Sequence, residues 1–296
     1  MSRRVLVTGA TGYIASQILP TFAERYDLVL CDVRAADPSS PVAGRVRIAD
    51  LANGDLSGNA ALFEGVDTVV HLAYNRRSRD PDRDYFDERV NVDMAYNVFK
   101  LTQRAGGRRV VMASSNHAAD FWEYPIWERR IDQISPESPR PLSDNFYGWA
   151  KEAYEHLGFV FASGGGGRPI VENVQIRIGA PRPIDASRFF SGGRNDPVAY
   201  TRDLGAYISP RDLTQLFVRS IEAEGIANEW GVPWQVFYGI SGNTRSFWSI
   251  ANARRVIGYA PEDDSEILYA DDIHRDLTRS PFAGPVIAGE NRRGGF

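Results

Sequence analysis

The chain has 296 residues, of which 43% are hydrophobic and 11% aromatic, enough apolar surface to bury a large core. The formal net charge of −4 gives no broad basic field, so nucleic acid is excluded as the expected partner. Cys31 is the single cysteine, so no intramolecular disulfide forms. The start is too poor in apolar residues for a signal peptide, and no apolar run approaches the roughly 20 residues that span a bilayer. We therefore expect a cytoplasmic protein with no membrane partner.

Short β-branched runs alternate with amphipathic segments through the first half of the chain. The predicted strands are Val5–Thr8, Leu28–Val33, Val46–Ala49, Asp67–Leu72, Arg109–Ala113 and Ile170–Ile178. The predicted helices are Tyr13–Arg25, Tyr85–Ala105 and Tyr147–Ala162. Strands joined by helical crossovers imply a parallel sheet covered on both faces. The predicted fold class is therefore α/β, a Rossmann-like doubly wound parallel sheet.

The rhythm breaks in two places. Ala118–Phe146 is rich in Pro, Trp and charge and is predicted to be a long loop with one helical turn. After residue 178 the sequence becomes irregular, with predicted elements at Arg211–Ala223, Trp234–Tyr238 and Ser246–Ile257. We divide the chain into a dinucleotide-binding domain, residues 1–178, and a smaller substrate-binding region, residues 179–296. A strand and a helix at about residues 231–258 return to the first domain.

A glycine-rich turn joins the first predicted strand to the first helix. Gly9 permits a tight turn, and Gly12 lets the backbone approach a pyrophosphate. The helix that follows offers free N–H groups and the positive end of its dipole to phosphates, so Thr11, Tyr13 and Ile14 are included in the predicted binding segment. A Gly-x-x-Gly turn alone is also compatible with an ordinary tight turn, but here it lies in the first βα unit.

Acidic and small residues at the ends of the following strands complete the predicted cofactor site. Asp32 ends the second strand, where a carboxylate accepts hydrogen bonds from both ribose hydroxyls and repels a 2′-phosphate. This favours NAD over NADP, although Arg34 two residues later softens the discrimination. Asp50 and Leu51 are predicted to bracket the adenine, and His71, Leu72 and Ala73 to line the pyrophosphate and the nicotinamide ribose.

A second motif, Tyr147-Gly148-Trp149-Ala150-Lys151, carries the predicted chemistry. The spacing of four places Tyr147 and Lys151 one turn apart on the same helical face. A free tyrosine has a pKa of roughly 10, and a nearby ammonium lowers it towards the range of a general base. An isolated Tyr-x-x-x-Lys is more often a packed tyrosine beside a solvated lysine. Ser114-Ser115-Asn116-His117 changes that balance, because it follows the fifth strand at the ligand-binding end of the sheet.

Two further residues belong to this hypothesis. The Ser115 hydroxyl is predicted to hold the reacting oxygen while Tyr147 moves its proton, and Tyr147 and Lys151 are also predicted to contact the cofactor, with Lys151 on the nicotinamide ribose. Asn91, within the long helix Tyr85–Ala105, is predicted to hold a water that links Lys151 to solvent.

Together these motifs resemble the extended short-chain dehydrogenases of the NAD-dependent epimerase/dehydratase class, over nearly the whole chain. Ser114–His117, Arg177-Ile178-Gly179, the segment 239–245 and the segment 257–264 are similar to uronate dehydrogenases. The resemblance implies NAD as cofactor, Ser115, Tyr147 and Lys151 as the catalytic triad, and Asn116 and His117 in contact with a sugar. It also implies oxidation of C1 of an acidic sugar to a lactone, with Arg188 as a clamp on the substrate carboxylate. By analogy with extended relatives, we expect a homodimer paired through the helices at 85–105 and 147–162.

The chain departs from this pattern after the fourth strand. Small residues are expected there, but the chain has Tyr74-Asn75-Arg76-Arg77-Ser78-Arg79, and the segment 118–146 is longer than expected. Both regions are predicted to border the substrate pocket, so the substrate is larger or carries a stronger anion, as in sugar-phosphate and sulfo-sugar dehydrogenases. Arg76, with Arg77 as a second candidate, is placed in the substrate site; a solvated loop is the plainer interpretation of the three arginines.

Two other functions stay open at this point. One is a nucleotide-sugar epimerase or dehydratase, which retains tightly bound NAD and gives no net redox change. The other is a non-catalytic dinucleotide sensor, against which the presence of Ser115, Tyr147 and Lys151 argues. No His/Cys/Asp spacing resembles a metal site, so no metal is expected, and no Gly-x-Ser-x-Gly elbow marks a hydrolase.

Overall fold

Seven parallel strands form one sheet in the order β3-β2-β1-β4-β5-β6-β7 in the computed structural model, which describes residues 2–76, 78 and 80–277. The strands are Arg4–Thr8 (β1), Asp27–Asp32 (β2), Val46–Ile48 (β3), Thr68–His71 (β4), Arg109–Ser115 (β5), Glu172–Ile178 (β6) and Trp234–Gly239 (β7). The α-helices are Tyr13–Arg25 (α1), Asp84–Ala105 (α2), Glu123–Trp127 (α3), Phe146–Ala162 (α4), Ser187–Phe190 (α5), Pro197–Ala206 (α6), Pro210–Glu222 (α7), Ala251–Ile257 (α8), Ser265–Leu268 (α9) and Ala270–Asp276 (α10). The predicted doubly wound α/β fold is confirmed.

The sheet is buried on both faces, which explains its continuous apolar strands. On one face, buried side chains of α1, α7 and α8 pack against the sheet, among them Phe22, Phe217 and Ile257. On the other face, α2 and α4 cover it with side chains such as Phe99 and Tyr154. Crossovers of this kind bring the carboxyl ends of all seven strands to one edge of the sheet.

That edge carries the residues that the sequence singled out. In the strand register, Thr8 lies beside His71 and Cys31, and Ser115 lies beside Ile178. The chain leaves the sheet at this edge for the glycine-rich turn, the loop after β4 and the segment after β5. Open α/β sheets bind ligands at such an edge, where the strand order reverses.

The prediction of a long loop at 118–146 was wrong for its first part. A 3₁₀ helix, Asn116–Trp122, runs directly into α3. The Ser115 side chain accepts a hydrogen bond from His117 N (3.3 Å) at the start of this turn, which satisfies one of the free amides there. The Trp122 indole N–H donates to the Arg140 carbonyl oxygen (2.8 Å), so the segment folds back on itself.

The helix predicted at Ser246–Ile257 begins five residues late, at Ala251. The preceding residues are not helical: Trp248 forms a β-bridge with Ile134, and Ser246 Oγ accepts a hydrogen bond from Trp248 N (3.1 Å). Helix α6 was missed, although Asp196 is its N-cap and Pro197 its first residue, both recognised start signals.

The segment 234–239 joins the sheet as its edge strand β7, beside β6. The division of the chain at residue 178 stays a prediction. No helix among the described residues is long and apolar enough to cross a membrane.

Candidate active site

The glycine-rich turn is held by a close backbone contact. Gly9 has φ +66°, a left-handed conformation that favours glycine. A β-carbon at this position would lie 2.7 Å from Ala73 N and 2.8 Å from Ala73 Cα. The absence of a side chain therefore lets the turn seat directly on the loop that follows β4.

Helix α1 begins immediately after this turn. Gly12 is its N-cap, in extended backbone, and its N–H donates to the Gly9 carbonyl oxygen (2.9 Å). The first amides of a helix have no partner within the helix, and those of Tyr13 and Ile14 belong to this set. The helix dipole adds positive potential at the same point. The turn thus has the small residues and free N–H donors that a dinucleotide pyrophosphate needs, and Ala15, fully buried, keeps the helix close to the sheet.

Asp32 is fixed beside the turn by Thr11. Its Oδ2 accepts hydrogen bonds from Thr11 N (3.0 Å) and Thr11 Oγ1 (2.7 Å), and its Oδ1 accepts one from Arg34 N (3.3 Å). The carboxylate therefore has a defined orientation at the end of β2. The described residues fit an NAD site, with Asp32 in the place of the ribose acceptor.

The remaining predicted cofactor residues follow β3 and β4. Leu51 is buried, and its carbonyl accepts a hydrogen bond from the Asn97 side chain (2.9 Å) of α2; Asp50 is exposed. Leu72 and Ala73 lie against the glycine turn, since Leu72 N donates to the Thr8 carbonyl oxygen (3.2 Å) and Ala73 N to Thr8 Oγ1 (3.3 Å).

His71 is buried beneath the contact between the glycine-rich turn and the loop that follows β4. Its Nδ1 lies 2.7 Å from Thr8 Oγ1, the atom that also accepts the hydrogen bond from Ala73 N. Burial first, and the nearby Lys151 charge second, lower the pKa of His71 to about 3. The imidazole is therefore neutral at physiological pH and acts as a structural hydrogen-bonding group.

Tyr147 and Lys151 lie on the first two turns of α4. Lys151 is only 6% exposed; its Nζ donates to the Ala113 carbonyl oxygen (3.0 Å) and lies 5.2 Å from the centre of the Tyr147 ring. Burial lowers the pKa of Lys151 to about 8, and two carboxylates, Glu88 and Glu155, oppose this shift. The pair thus has the short separation that the spacing predicted.

Two serines at the end of β5 take different partners. Ser114 Oγ donates to Glu155 Oε1 (2.7 Å), deep in the core, whereas Ser115 Oγ accepts from His117 N. Glu155 also receives the Arg177 guanidinium at 2.9 and 2.7 Å, in a fully buried pair. Ser114 is therefore committed to the core, which leaves Ser115 as the candidate for contact with a substrate.

The segment after β5 packs closely on the start of α4. A β-carbon on Gly148 would overlap the His117 carbonyl oxygen, so glycine is required there. The rings of His117 and Tyr147 meet edge to face, 5.6 Å between centres. His117 Nδ1 lies 2.8 Å from Asp120 Oδ2, and the same oxygen accepts a hydrogen bond from Asn145, the N-cap of α4. Asp120 thereby joins His117 to the helix that carries Tyr147.

Asn116 is held from below by Arg202 of α6. With the amide nitrogen assigned towards the Ile178 carbonyl oxygen (3.1 Å), its oxygen accepts from Arg202 Nη2 (3.0 Å). Arg202 is also paired with Glu123 through two hydrogen bonds of 2.9 and 2.8 Å. The orientation of Asn116 is therefore set by a partly buried ion pair between α3 and α6.

Asn91 lies on α2 beside the loop that follows β4. Its Oδ1 accepts a hydrogen bond from Asn75 N (2.7 Å), and its Nδ2 donates to the Asn75 carbonyl oxygen (3.1 Å) and to Glu88 Oε2 (3.2 Å). The buried amide thus clamps the loop after β4 to α2. Its link to Lys151 through a water stays a prediction.

A model of the NAD dependent epimerase/dehydratase family matches residues 5–172, more than half of the chain. The chain belongs to this family. This confirms both the predicted resemblance and NAD as the expected cofactor.

Known proteins of similar length align over most of the chain. An NAD-dependent glucose-6-phosphate dehydrogenase of Haloferax volcanii is 31% identical, over 90% of this chain and 95% of its own. A uronate dehydrogenase of Pseudomonas syringae pv. tomato is 28% identical, over 90% of this chain and 84% of its own. Among solved structures, a mutated uronate dehydrogenase superimposes with a TM-score of 0.71 at 28% identity, covering 96% of this chain and 90% of that one.

The two predicted substrate arginines are both at the surface of this family member. Arg76 is exposed in the loop after β4, and Arg188 is exposed on the short helix α5. The Arg188 carbonyl oxygen accepts a hydrogen bond from Arg194 Nη1 (3.4 Å). Arg77 lies outside the described residues. Contact of these arginines with a substrate stays a prediction.

Four residues of the site were not individually assigned a role from the sequence: Tyr74, Glu88, Asp120 and Arg202. Each acts through a partner brought close by the fold, such as Glu88 with Tyr74 and Arg202 with Glu123. For Tyr74 the sequence did offer an indication, because this large residue stands where small residues were expected.

Proposed function

We propose that the protein is an NAD-dependent dehydrogenase that oxidises a CH–OH group of a sugar carrying an anionic substituent, with C1 as the reacting carbon and a lactone as the product. The relatives agree on the coarser part, since they are named as dehydrogenases of sugars or sugar acids. The names glucose-6-phosphate and uronate both denote sugars with an anion, which supports the acidic substrate.

The observation that carries the chemical part is the placement of the Tyr147 ring. It lies within 5.2 Å of the Lys151 ammonium and 5.6 Å of the His117 ring, at the carboxyl edge of the sheet. The ammonium favours the phenolate over the phenol, so Tyr147 Oη accepts the proton of the sugar hydroxyl as general base. When bound, NAD accepts the hydride from the sugar carbon that carries this hydroxyl.

The other groups hold the substrate. The Ser115 hydroxyl donates to the reacting oxygen, and Asn116 and His117, fixed by Arg202 and Asp120, bind sugar hydroxyls. Because the ring oxygen stays attached to C1, loss of the O–H proton and of the C1 hydride leaves a cyclic ester, the lactone. Arg188, with Arg76 as the second candidate, binds the anion.

A spectrophotometric screen tests this function. NAD⁺ is mixed with the protein and with uronic acids, sugar phosphates, sulfo-sugars and neutral aldoses, and NADH is followed. We expect NADH with one acidic class only. If no sugar in the panel gives NADH and the protein retains tightly bound NAD, the result would instead favour a nucleotide-sugar epimerase or dehydratase.

Two variants locate the chemistry and the anion. Tyr147→Phe should lower kcat by about 10²- to 10⁴-fold with NAD affinity unchanged, the range for loss of a general base. Arg188→Ala should raise KM for the acidic sugar and leave KM for its neutral counterpart unchanged. Arg104→Ala, an exposed arginine in the last turn of α2 at the opposite edge of the sheet, is the matched control. Equal effects on both sugars would refute the anion clamp.

We also propose a homodimer formed through α2 and α4. Tyr96 and Val160, 45% and 41% exposed, lie on the outer faces of these helices, and the Tyr96 ring contacts Phe161. Light scattering after gel filtration should give twice the chain mass, and Val160→Glu should give a folded monomer. A monomeric wild type would refute this assembly.

A further inference from the structure

A fully buried carboxylate lies beside the candidate catalytic pair and has no part in the mechanism above. Glu88, on the first turns of α2, has no exposed surface. Its Oε1 accepts a hydrogen bond from Tyr74 Oη (2.6 Å), and its Oε2 accepts one from Asn91 Nδ2 (3.2 Å). Burial of a carboxylate is costly without such partners, so this arrangement needs an explanation.

Tyr74 connects this carboxylate to the catalytic pair. Its ring meets the Tyr147 ring edge to face, at 89° and 5.6 Å between centres. Lys151 Nζ lies 5.4 Å from the centre of the Tyr74 ring. Asn91 fixes the backbone of the next residue, Asn75, by two hydrogen bonds. The loop after β4 therefore presents Tyr74 to both groups in a fixed position.

Among the described residues, charged and titratable groups face Lys151 from α2, α4, β4 and the loop after β4. Glu88 approaches from α2, Glu155 from α4 and His71 from β4, while the rings of Tyr74, Tyr147 and Tyr154 enclose the ammonium at 5.0–5.4 Å. His71 is neutral, and Glu155 is already paired with Arg177 at 2.7 Å. Of the two carboxylates that raise the pKa of Lys151, Glu88 has the larger effect.

We propose that Glu88 and Tyr74 are positioning residues for the general base: Glu88 keeps the Lys151 ammonium charged at neutral pH, and Tyr74 holds both Glu88 and the Tyr147 ring in place. The role of Tyr147 as general base rests on the proposed dehydrogenase function. The effect of Glu88 on the charge of Lys151 does not.

The physical reason is the competition between burial and charge. Burial favours neutral lysine, and a neutral lysine no longer stabilises the Tyr147 phenolate. With Glu88 present, the pKa of Lys151 stays at about 8, so the ammonium predominates at pH 7. Removal of the carboxylate lowers this pKa further, and the range of pH in which Lys151 is charged contracts from the alkaline side.

The sequence allows a direct measurement, because Lys100 and Lys151 are its only lysines. In protein labelled with ¹³C-lysine, the two ε-carbon signals are followed by NMR against pH, and Lys100→Arg assigns the remaining one to Lys151. We expect a midpoint of about 8 for the wild type, set by the pKa of Lys151. Glu88→Gln should lower it by about one unit or more, the range for loss of a neighbouring opposite charge.

Asp93→Asn is the matched control, since it removes the same charge from an exposed position of α2, where Asp93 pairs loosely with Arg89 (3.8 Å). Its Lys151 midpoint should equal that of the wild type. Tyr74→Phe keeps the ring and removes the donor to Glu88, so the midpoint should move in the same direction by a smaller amount. If Glu88→Gln does not fold, Tyr74→Phe alone decides the question. An unchanged Lys151 midpoint in the folded variant would overturn the proposal.

Activity provides a separate readout. With an accepted sugar, the alkaline limb of the kcat profile should move to lower pH in Glu88→Gln and Tyr74→Phe, and stay in place in Asp93→Asn. If the wild type forms no NADH with any sugar, the proposed function fails while the NMR titration still stands. If the wild type is active and both variants keep its alkaline limb, Glu88 and Tyr74 do not serve the general base.

Discussion

The two halves of the candidate site are built in different ways. The cofactor half uses backbone: the turn from Gly9 to Gly12, the first amides of α1 and the adjacent loop at Ala73 are shaped by small residues and by φ angles. The chemical half uses side chains. Lys151, Asn116 and His117 are positioned by partners on β5, β6, α6 and the 3₁₀ helix Asn116–Trp122.

This difference explains how each half tolerates change. A site built from backbone depends on the absence of side chains, so added atoms damage it. Such a site can be recognised from the local sequence, because its glycines are close together in the chain. A site built from side chains depends on buried ion pairs, in which loss of one partner leaves the other charge without compensation. The two halves meet at His71, under the contact between Thr8 and Ala73.

The largest effect is expected in the chemical half, at Glu155. Glu155→Gln removes the charge that compensates Arg177, and both side chains are almost fully buried. Such losses cost about 3–5 kcal/mol in free energy of unfolding. Chemical denaturation measures the loss directly.

Glu152→Gln on the same helix is the control for this variant. Glu152 pairs with Arg140, whose side chain is 81% exposed, and surface pairs contribute about 0–1 kcal/mol. Equal losses in the two variants would show that the buried pair has no special role, and the contrast between the two halves would then fail.

The contact between the two halves should make the stability of the protein depend on pH through His71. Its pKa is about 3 in the folded protein and 6.5 in the unfolded chain, so below pH 6.5 only the unfolded chain takes up the proton. Stability is therefore lost as the pH falls, by about 2–3 kcal/mol between about pH 6.5 and 4, from the slope of about 1.4 kcal/mol per unit.

Denaturation curves of wild type and His71→Gln at several pH values measure this contribution. The variant has no titrating group there, so its stability should fall less steeply over the same interval. Parallel curves would mean that His71 is protonated in the folded protein as well.

A smaller effect is expected in the cofactor half, at Gly9. Gly9→Ala would place a methyl group 2.7 Å from the Ala73 backbone and impose a left-handed φ on alanine. We expect a loss of roughly 2 kcal/mol in stability, from strain added to the cost of that backbone conformation, together with weaker NAD binding.

Gly106→Ala separates the two causes. Gly106 has φ +72°, but a β-carbon added there would meet no atom within 4 Å, so only the backbone cost of about 1 kcal/mol remains. Calorimetry of both variants, with and without NAD, gives the comparison. If Gly9→Ala behaves like Gly106→Ala, close packing against Ala73 does not shape the cofactor half.

Sequence reasoning was most successful where structure is local. The turn Gly9–Gly12, helix α1 and the pairing of Tyr147 with Lys151 follow from spacing alone, because one strand-turn-helix unit or one helical turn contains all the residues involved. The alternation of strands and helices likewise predicted the sheet, since right-handed crossovers leave few alternatives. The sequence by itself therefore determined the fold class, the conformation of the glycine-rich turn at the candidate cofactor site and the proximity of Tyr147 to Lys151.

Tertiary structure alone decided what surrounds that pair. Glu88 and Tyr74 lie 14 residues apart, and Glu123 and Arg202 lie 79 apart, so no periodicity connects them. The start of α8 and the turns at 116–127 were also misjudged, because they depend on a bridge between Ile134 and Trp248 and on the fold of the intervening segment. Burial gives these contacts their energetic weight, and burial is a property of the assembled layers rather than of any one segment.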